Sequence, residues 1–154
     1  MATTSTIPTI KAQIVSLLAA RPAIVAAGVS VTYAWPGPAG AAGQIFFGEL
    51  PREDQALPVV KAGRVSRQEN YTLDLVVQSF HAELTSEMAA IAEAIGFALL
   101  AEVEGMLADS PTLGLAAGAI QWANVEGLAV RLVPFETGWL SEIVVSIAVK
   151  ARLT

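Results

Sequence analysis

Between Tyr71 and Arg152 the apolar spacing of this chain changes twice, and this change restricts the fold more than any motif does. Tyr71, Leu73, Leu75 and Val77 alternate with Thr72, Asp74, Gln78 and Phe80, the two-residue period of a strand with one buried face. From Leu84 to about Ala108 the spacing becomes helical: Leu84, Met88, Ile91, Ile95 and Leu99 form one stripe, which Phe97, Leu100 and Val103 widen. Thr85 or Ser86 can cap this helix, Glu87 suits its positive end, and Asp109-Ser-Pro111 stops it. At ~1.5 Å per residue it is close to 40 Å long. From Glu142 to Arg152 the period returns to two, with Ile143, Val145, Ile147, Val149 and Ala151 on one side and Glu142, Ser146, Lys150 and Arg152 on the other.

Shorter elements fill the rest. Ile7, Ile10, Ile14, Leu17 and Leu18 predict a helix over 7–20, capped by Thr6, opened by Pro8 and stopped at Arg21-Pro22. Val29–Trp35 and Gln44–Leu50 read as strands on either side of the loop 36–43, with a polar connection at 51–55 and a weak strand at 59–66. Ala119–Ala123 and Leu128–Val133 are strands bracketing Asn124–Gly127, either a turn or a kink in one long strand. Strands that follow one another, and do not alternate with helices, indicate an α+β fold: a mainly antiparallel sheet with two amphipathic helices packed on one face. A length of 154 residues with no internal repeat or linker predicts a single domain over 1–154.

Composition narrows the function classes. With no Cys, the chain has no disulfide scaffold, thiolate zinc site or cysteine nucleophile. The net charge of −5 disfavours a dedicated nucleic-acid binder. Residues 22–48 carry no charge, but their prolines and glycines exclude a membrane span. MATTSTIPTIK has neither the basic start nor the apolar core of a secretory signal, so intracellular synthesis is expected and the Asn70-Tyr-Thr72 sequon is read as chance.

No catalytic constellation emerges, so no enzyme, cofactor or metal is expected. His81 is the one histidine, which excludes a His–His metal pair, and it reads as a surface or strand-end residue. Gly37, Gly40 and Gly43 lead into a strand and not a helix, so they read as a flexible hairpin tip and not a phosphate cradle. Glu83, Glu87, Glu102 and Glu104 lie on or beside the long helix without a third ligand at fixed spacing, as on a solvated face.

The charges are segregated. Between Gln68 and Val130 there are nine acids and no Lys or Arg, whereas Arg52, Lys61, Arg64 and Arg67 cluster just before. The segregation reads either as drift in a chain of low charge or as complementary faces, the basic segment of one subunit meeting the acidic surface of the next in a head-to-tail assembly. Arg52, Lys61, Arg64, Arg67 and Glu69 are therefore candidate interface residues. Glu83, Glu87, Glu93, Glu102 and Glu104 are candidates to face a neighbour or a channel. Only 15% of residues are charged, below the ~25% of ordinary soluble domains, and Trp35, Trp122 and Trp139 lie at strand ends where aromatic residues anchor contacts.

In order, Ile7-Pro-Thr-Ile-Lys-Ala, Val31-Thr-Tyr-Ala-Trp-Pro-Gly-Pro, Gln44-Ile-Phe-Phe-Gly-Glu, Lys61-Ala-Gly-Arg-Val-Ser-Arg67, Leu100-Ala-Glu-Val-Glu104, Gln121-Trp122 and a closing Val-Ser-Ile-Ala-Val-Lys-Ala-Arg resemble the tail terminator (tail completion) family of long-tailed bacteriophages. The resemblance covers nearly the whole chain and rests on the order of elements. It implies a structural virion protein whose ring, of six copies, caps the tail tube and ends its polymerisation. It also implies partners in the tail tube protein and the head–tail connector, a place at the head-proximal end of the tail, and DNA that passes without specific binding. An acidic lumen suits that passage, because it repels the duplex. A connector or stopper ring is the alternative, and a small ligand-binding or enzymatic α+β domain using His81 and the glycine loop is a further one.

Overall fold

The structure, a computed structural model, describes residues 5–48, 52–54, 59–61, 64–115 and 119–153, without the side chains of 52–54, 59–61, 64–67 and 153. The chain runs through helices α1 (Ile7–Ala19) and α2 (Pro22–Ala27), then strands β1 (Ser30–Thr32), β2 (Gln44–Phe47), β3 (Arg52–Asp54), β4 (Val59–Lys61) and β5 (Arg64–Ala82). Helix α3 (Ser86–Asp109) and strands β6 (Ile120–Phe135) and β7 (Gly138–Leu153) complete it. The strands lie in the order β1-β2-β5-β7-β6, and β3 and β4 also pair with β5. All these pairings are antiparallel except β1 with β2. This is an α+β fold.

The spine is the β5–β7 pair, in register from Arg67↔Leu153 to Ala82↔Gly138. Strict alternation places Tyr71, Leu73, Leu75 and Val77 beside Ile143, Val145, Ile147, Val149 and Ala151, and α1 and α3 cover this face. Ile10, Ile14 and Leu18 of α1 meet Leu99, Leu100, Val103, Met106 and Leu107 of α3 over it, in one apolar core. No described helix is long and apolar enough to cross a membrane.

Several elements differ from the sequence expectation. The first strand is only three residues long, because β1 pairs with β2 alone and Thr32 Oγ1 then donates to Ala34 O (2.7 Å), turning the chain. The glycine loop is not a hairpin tip, since β1 and β2 are parallel and the loop is their crossover. It is pinned by Phe80 N→Gly40 O (3.1 Å) and Gln44 Nε2→Gly37 O (2.9 Å). Arg52–Asp54 is not a plain connection; its backbone pairs with Asn70–Thr72. Residues 59–66 divide between β4 and the start of β5, while Glu49 and Leu50 lie outside the described residues. Asn124–Gly127 is a kink inside β6, with register shifts at Ile120/Trp122 and Val125/Gly127.

The long helix buries Leu99, Leu100 and Val103 as expected, but its first half is turned relative to expectation. Thr85 Oγ1 does accept from Met88 N (3.2 Å) as its cap, but Leu84, Ile91 and Phe97 are 51%, 45% and 42% exposed. Ala92 and Gly96 face the sheet in their place. The cause is close approach: Ser79 Oγ donates to Ala92 O (3.2 Å), and a Cβ on Gly96 would stand 2.6 Å from Ser141 Oγ. Small residues let the helix sit low on the strands, and the bulky ones turn outward.

Candidate functional site

Residues that could do chemistry are dispersed. His81 is buried, not at the surface, because its strand position puts it on the helix-covered face opposite Trp139. Its Nε2, Trp139 Nε1 and Ser141 Oγ are buried with no hydrogen-bond partner among the described residues. No cluster of three or more His, Asp or Glu suited to a metal occurs among those residues.

The face away from the helices is more informative. Across it, one side chain from each of four strands joins a hydrogen-bonded row. Gln44 Nε2 donates to Gln78 Oε1 (3.0 Å), Gln78 Nε2 donates to Glu142 Oε2 (2.6 Å), and Arg131 Nη2 pairs with Glu142 Oε1 (2.8 Å). The row follows from register, since Gln44 faces Gln78, Gln78 faces Glu142 and Glu142 faces Arg131. On one side of it lies a cleft of about 440 Å³ walled by Trp35, Pro38, Phe80, Phe135 and Leu140. Phe80 and Phe135 meet edge-on at 6.3 Å there, the offset geometry that aromatic pairs favour. On the other side a cleft of about 670 Å³ is lined by Asp74, Trp122, Glu126, Ser146 and Lys150. Trp35 and Trp122 are exposed as expected of contact residues, whereas Trp139 is half-buried. Beyond β2, Lys11 Nζ stands 5.3 Å from the rings of both Tyr33 and Phe47, and burial lowers its pKa.

The candidate acids divide into groups. Glu83, Glu87, Glu93 and Glu104 are exposed, Glu83 in the left-handed region at φ 83°. Glu102 is half-buried and held by an ion pair within the subunit. It accepts from Arg21 Nε at 2.6 Å, and Arg21 also reaches Asp109 at 3.1 Å, tying the start of α2 to α3. The Glu102 hydrogen bond, followed by that of Asp109, raises the Arg21 pKa. Glu69 is buried. It is 4% exposed, and its carboxylate accepts from Thr6 N (2.9 Å) and Thr6 Oγ1 (2.6 Å), so Thr6 spends its hydroxyl there and does not cap α1. Glu69→Ala should strand the Thr6 backbone N–H, while Thr6 Oγ1 keeps Tyr71 OH at 3.0 Å, and cost about 1–3 kcal/mol, read as a lower urea midpoint with faster amide exchange in the first turn of α1. An unchanged midpoint would refute the bond's contribution.

The basic candidates Arg52, Lys61, Arg64 and Arg67 have backbone positions in β3, β4 and β5, and their side-chain contacts lie outside the described residues. Lys61 pairs with Arg64 beyond the end of β7 and Arg67 stands where pairing with β7 begins, whereas Arg52 pairs with Thr72 further along β5 and is apart from them.

No family model matches this chain, and no curated protein does. Among solved structures it is similar to a chain described as a virion of native gene transfer agent (GTA) particle, with TM-score 0.64 and 18% identity over 97% of this chain and 99% of that one. A likeness at this identity establishes a shared fold, end to end.

Proposed function

We propose that this chain is a structural, non-enzymatic protein of a phage-like virion, working as a ring of six copies that caps the tail tube at its head-proximal end. Its partners are further copies of itself, the tail tube protein and the head–tail connector, and DNA passes through without specific binding. The observation that carries this reading is the fold shared, over 97% of this chain, with a component of a virion particle. The segregated charges support it, because a head-to-tail ring uses two different surfaces of every subunit. So does the sheet, which buries one face and leaves the other open with exposed aromatic residues at Trp35, Trp122 and Phe135. Exposed Glu83 and Glu87 suit a lumen that repels the duplex.

The test is co-assembly with the tail tube protein of the same particle, viewed by negative-stain microscopy. Tubes should stop growing and carry a ring at one end. Reversing Arg64→Glu and Arg67→Glu together should abolish the rings while leaving the thermal midpoint within a few degrees of the parent. Tubes that keep growing in its presence would overturn the cap, and rings bound to the connector alone would favour the stopper alternative. Unchanged rings from the double reversal would remove the charge-pairing idea.

A further inference from the structure

Strand β6 is an edge strand of 16 residues whose one neighbour in the described sheet is β7. Long apolar edges are normally guarded by charge, because unpaired backbone groups recruit another strand. Here the two charges of β6 guard nothing. Arg131 is held by Glu142, and Glu126 accepts from Thr72 Oγ1 (3.2 Å), both over the strand's own sheet. Leu128 and Val130 are 47% and 48% exposed beside it, with Phe97 on the adjoining flank of α3. Between α3 and β6 lie two hollows. One, of about 410 Å³, is lined by Ala90, Glu93, Phe97 and Leu132. The other, of about 320 Å³, is lined by Glu104, Leu107, Ala123 and Val125. Each holds a single carboxylate, and neither Glu93 nor Glu104 has an ion pair among the described residues.

The complement occurs in the same polypeptide. β5 pairs with β4 from Arg64 to Ser66, while its pairing with β7 begins only at Arg67. Among the described residues, β4 and the first three residues of β5 thus form a two-stranded ribbon beyond the main sheet. Such a ribbon is marginal in water and gains from a third strand. Its sequence carries Val59, Val60 and Val65 alongside Lys61, Arg64 and Arg67, apolar and basic where the α3–β6 groove is apolar and acidic.

We infer that the β6 edge and the Glu93/Glu104 flank of α3 are the seat for the basic β4–β5 ribbon of a second copy, added as a further strand. The identity of the occupant rests on the ring reading. Donor and seat are different surfaces of one subunit, so the contact repeats head to tail and closes a ring if the rotation allows.

The chain has no native Cys, so engineered thiols report cleanly. Ser66→Cys subunits and differently tagged Val130→Cys subunits are mixed, oxidised or treated with a short bis-maleimide, and analysed by mass at concentrations up to about 1 mM, where even weak specific contacts are occupied. The mixture should yield crosslinked pairs carrying both tags. Adding Glu93→Lys and Glu104→Lys to the Val130→Cys subunit should lower that yield by more than roughly tenfold. Adding Arg64→Glu and Arg67→Glu to the Ser66→Cys partner should restore it. Rings that form with no mixed crosslink, or with a crosslink indifferent to these reversals, overturn this seat and leave the ring reading standing. No crosslink and no assembly at any concentration, with or without the tube protein, overturns both.

Discussion

Gly138→Ala should be among the most damaging single changes in this chain, at about 3 kcal/mol or more. Gly138 opens β7 opposite Ala82 of β5 and Phe135 of β6, where the two-residue turn Glu136–Thr137 brings three strands to one corner. The corner is closed by Glu83 N→Thr137 O at 3.0 Å. A Cβ at Gly138 would stand 2.1 Å from His81 O and 2.9 Å from Ala82 Cα. These are backbone atoms of the central strand, so no side chain can rotate away and the strand itself must move. For a chain of this size, ~3 kcal/mol lowers the thermal midpoint by roughly 6–12 °C. Gly127→Ala is the control: nothing lies within 4 Å of its Cβ position, and the shift should stay within about 0.5 kcal/mol. Calorimetry of the two variants decides the matter, and equal midpoints would show that the corner is not packed as described.

What made this fold legible was periodicity, and it failed where periodicity carried no information. β5 and β7 could be read because strict alternation over many residues has one physical meaning, a strand closed on one face. The existence and capping of α3 could be read for the same reason. The orientation of its first half could not: Ala92 and Gly96 line its inner side there and Ile91 and Phe97 its outer side, so these large residues pointed the wrong way, whereas Leu99, Leu100 and Val103 are buried as their spacing predicts. The decision was made by the sheet, where Ser79 and Ser141 let small helix residues come close. Arg52–Asp54 escaped notice because three consecutive charged residues resemble a connection, and only the long partner β5 turns them into a strand. Glu69 looked like a surface acid beside a basic cluster; its partner Thr6 lies 63 residues earlier, which no local pattern reveals.

The proposed assembly surfaces were half legible in the same sense. The sequence separates basic residues from acids, but does not say which acids are available. The fold separates them: Glu102 is consumed by Arg21, and Glu69 by Thr6, which leaves Glu83, Glu87, Glu93 and Glu104. Of these, only Glu93 and Glu104 share the flank of α3 that faces the open strand, as their places in the two hollows require.

Leu73→Ala and Thr72→Ala, neighbours on β5, should differ about as much as two adjacent truncations can. Leu73 is fully buried, cross-strand from Ile147 and within the core shared with α1 and α3. Its loss removes apolar contact and leaves a cavity that close-packed strands cannot collapse, costing about 2–5 kcal/mol. Thr72 points to the other face, where its hydroxyl makes one exposed bond to Glu126, and its truncation should cost no more than about 1 kcal/mol. Urea midpoints measure both, and the slopes should match the parent because the surface exposed on unfolding is nearly the same. Equal costs would mean that the second face is closed too, which would remove the one-sided sheet on which the open edge depends. The same logic separates stability from assembly. Below its own midpoint Leu73→Ala should still form rings, since its side chain is fully buried and presents nothing to a neighbour. Phe97→Lys, with Phe97 42% exposed, should keep its midpoint yet lose them, because it places a cation and a desolvated stem in the seat of the neighbouring basic strand.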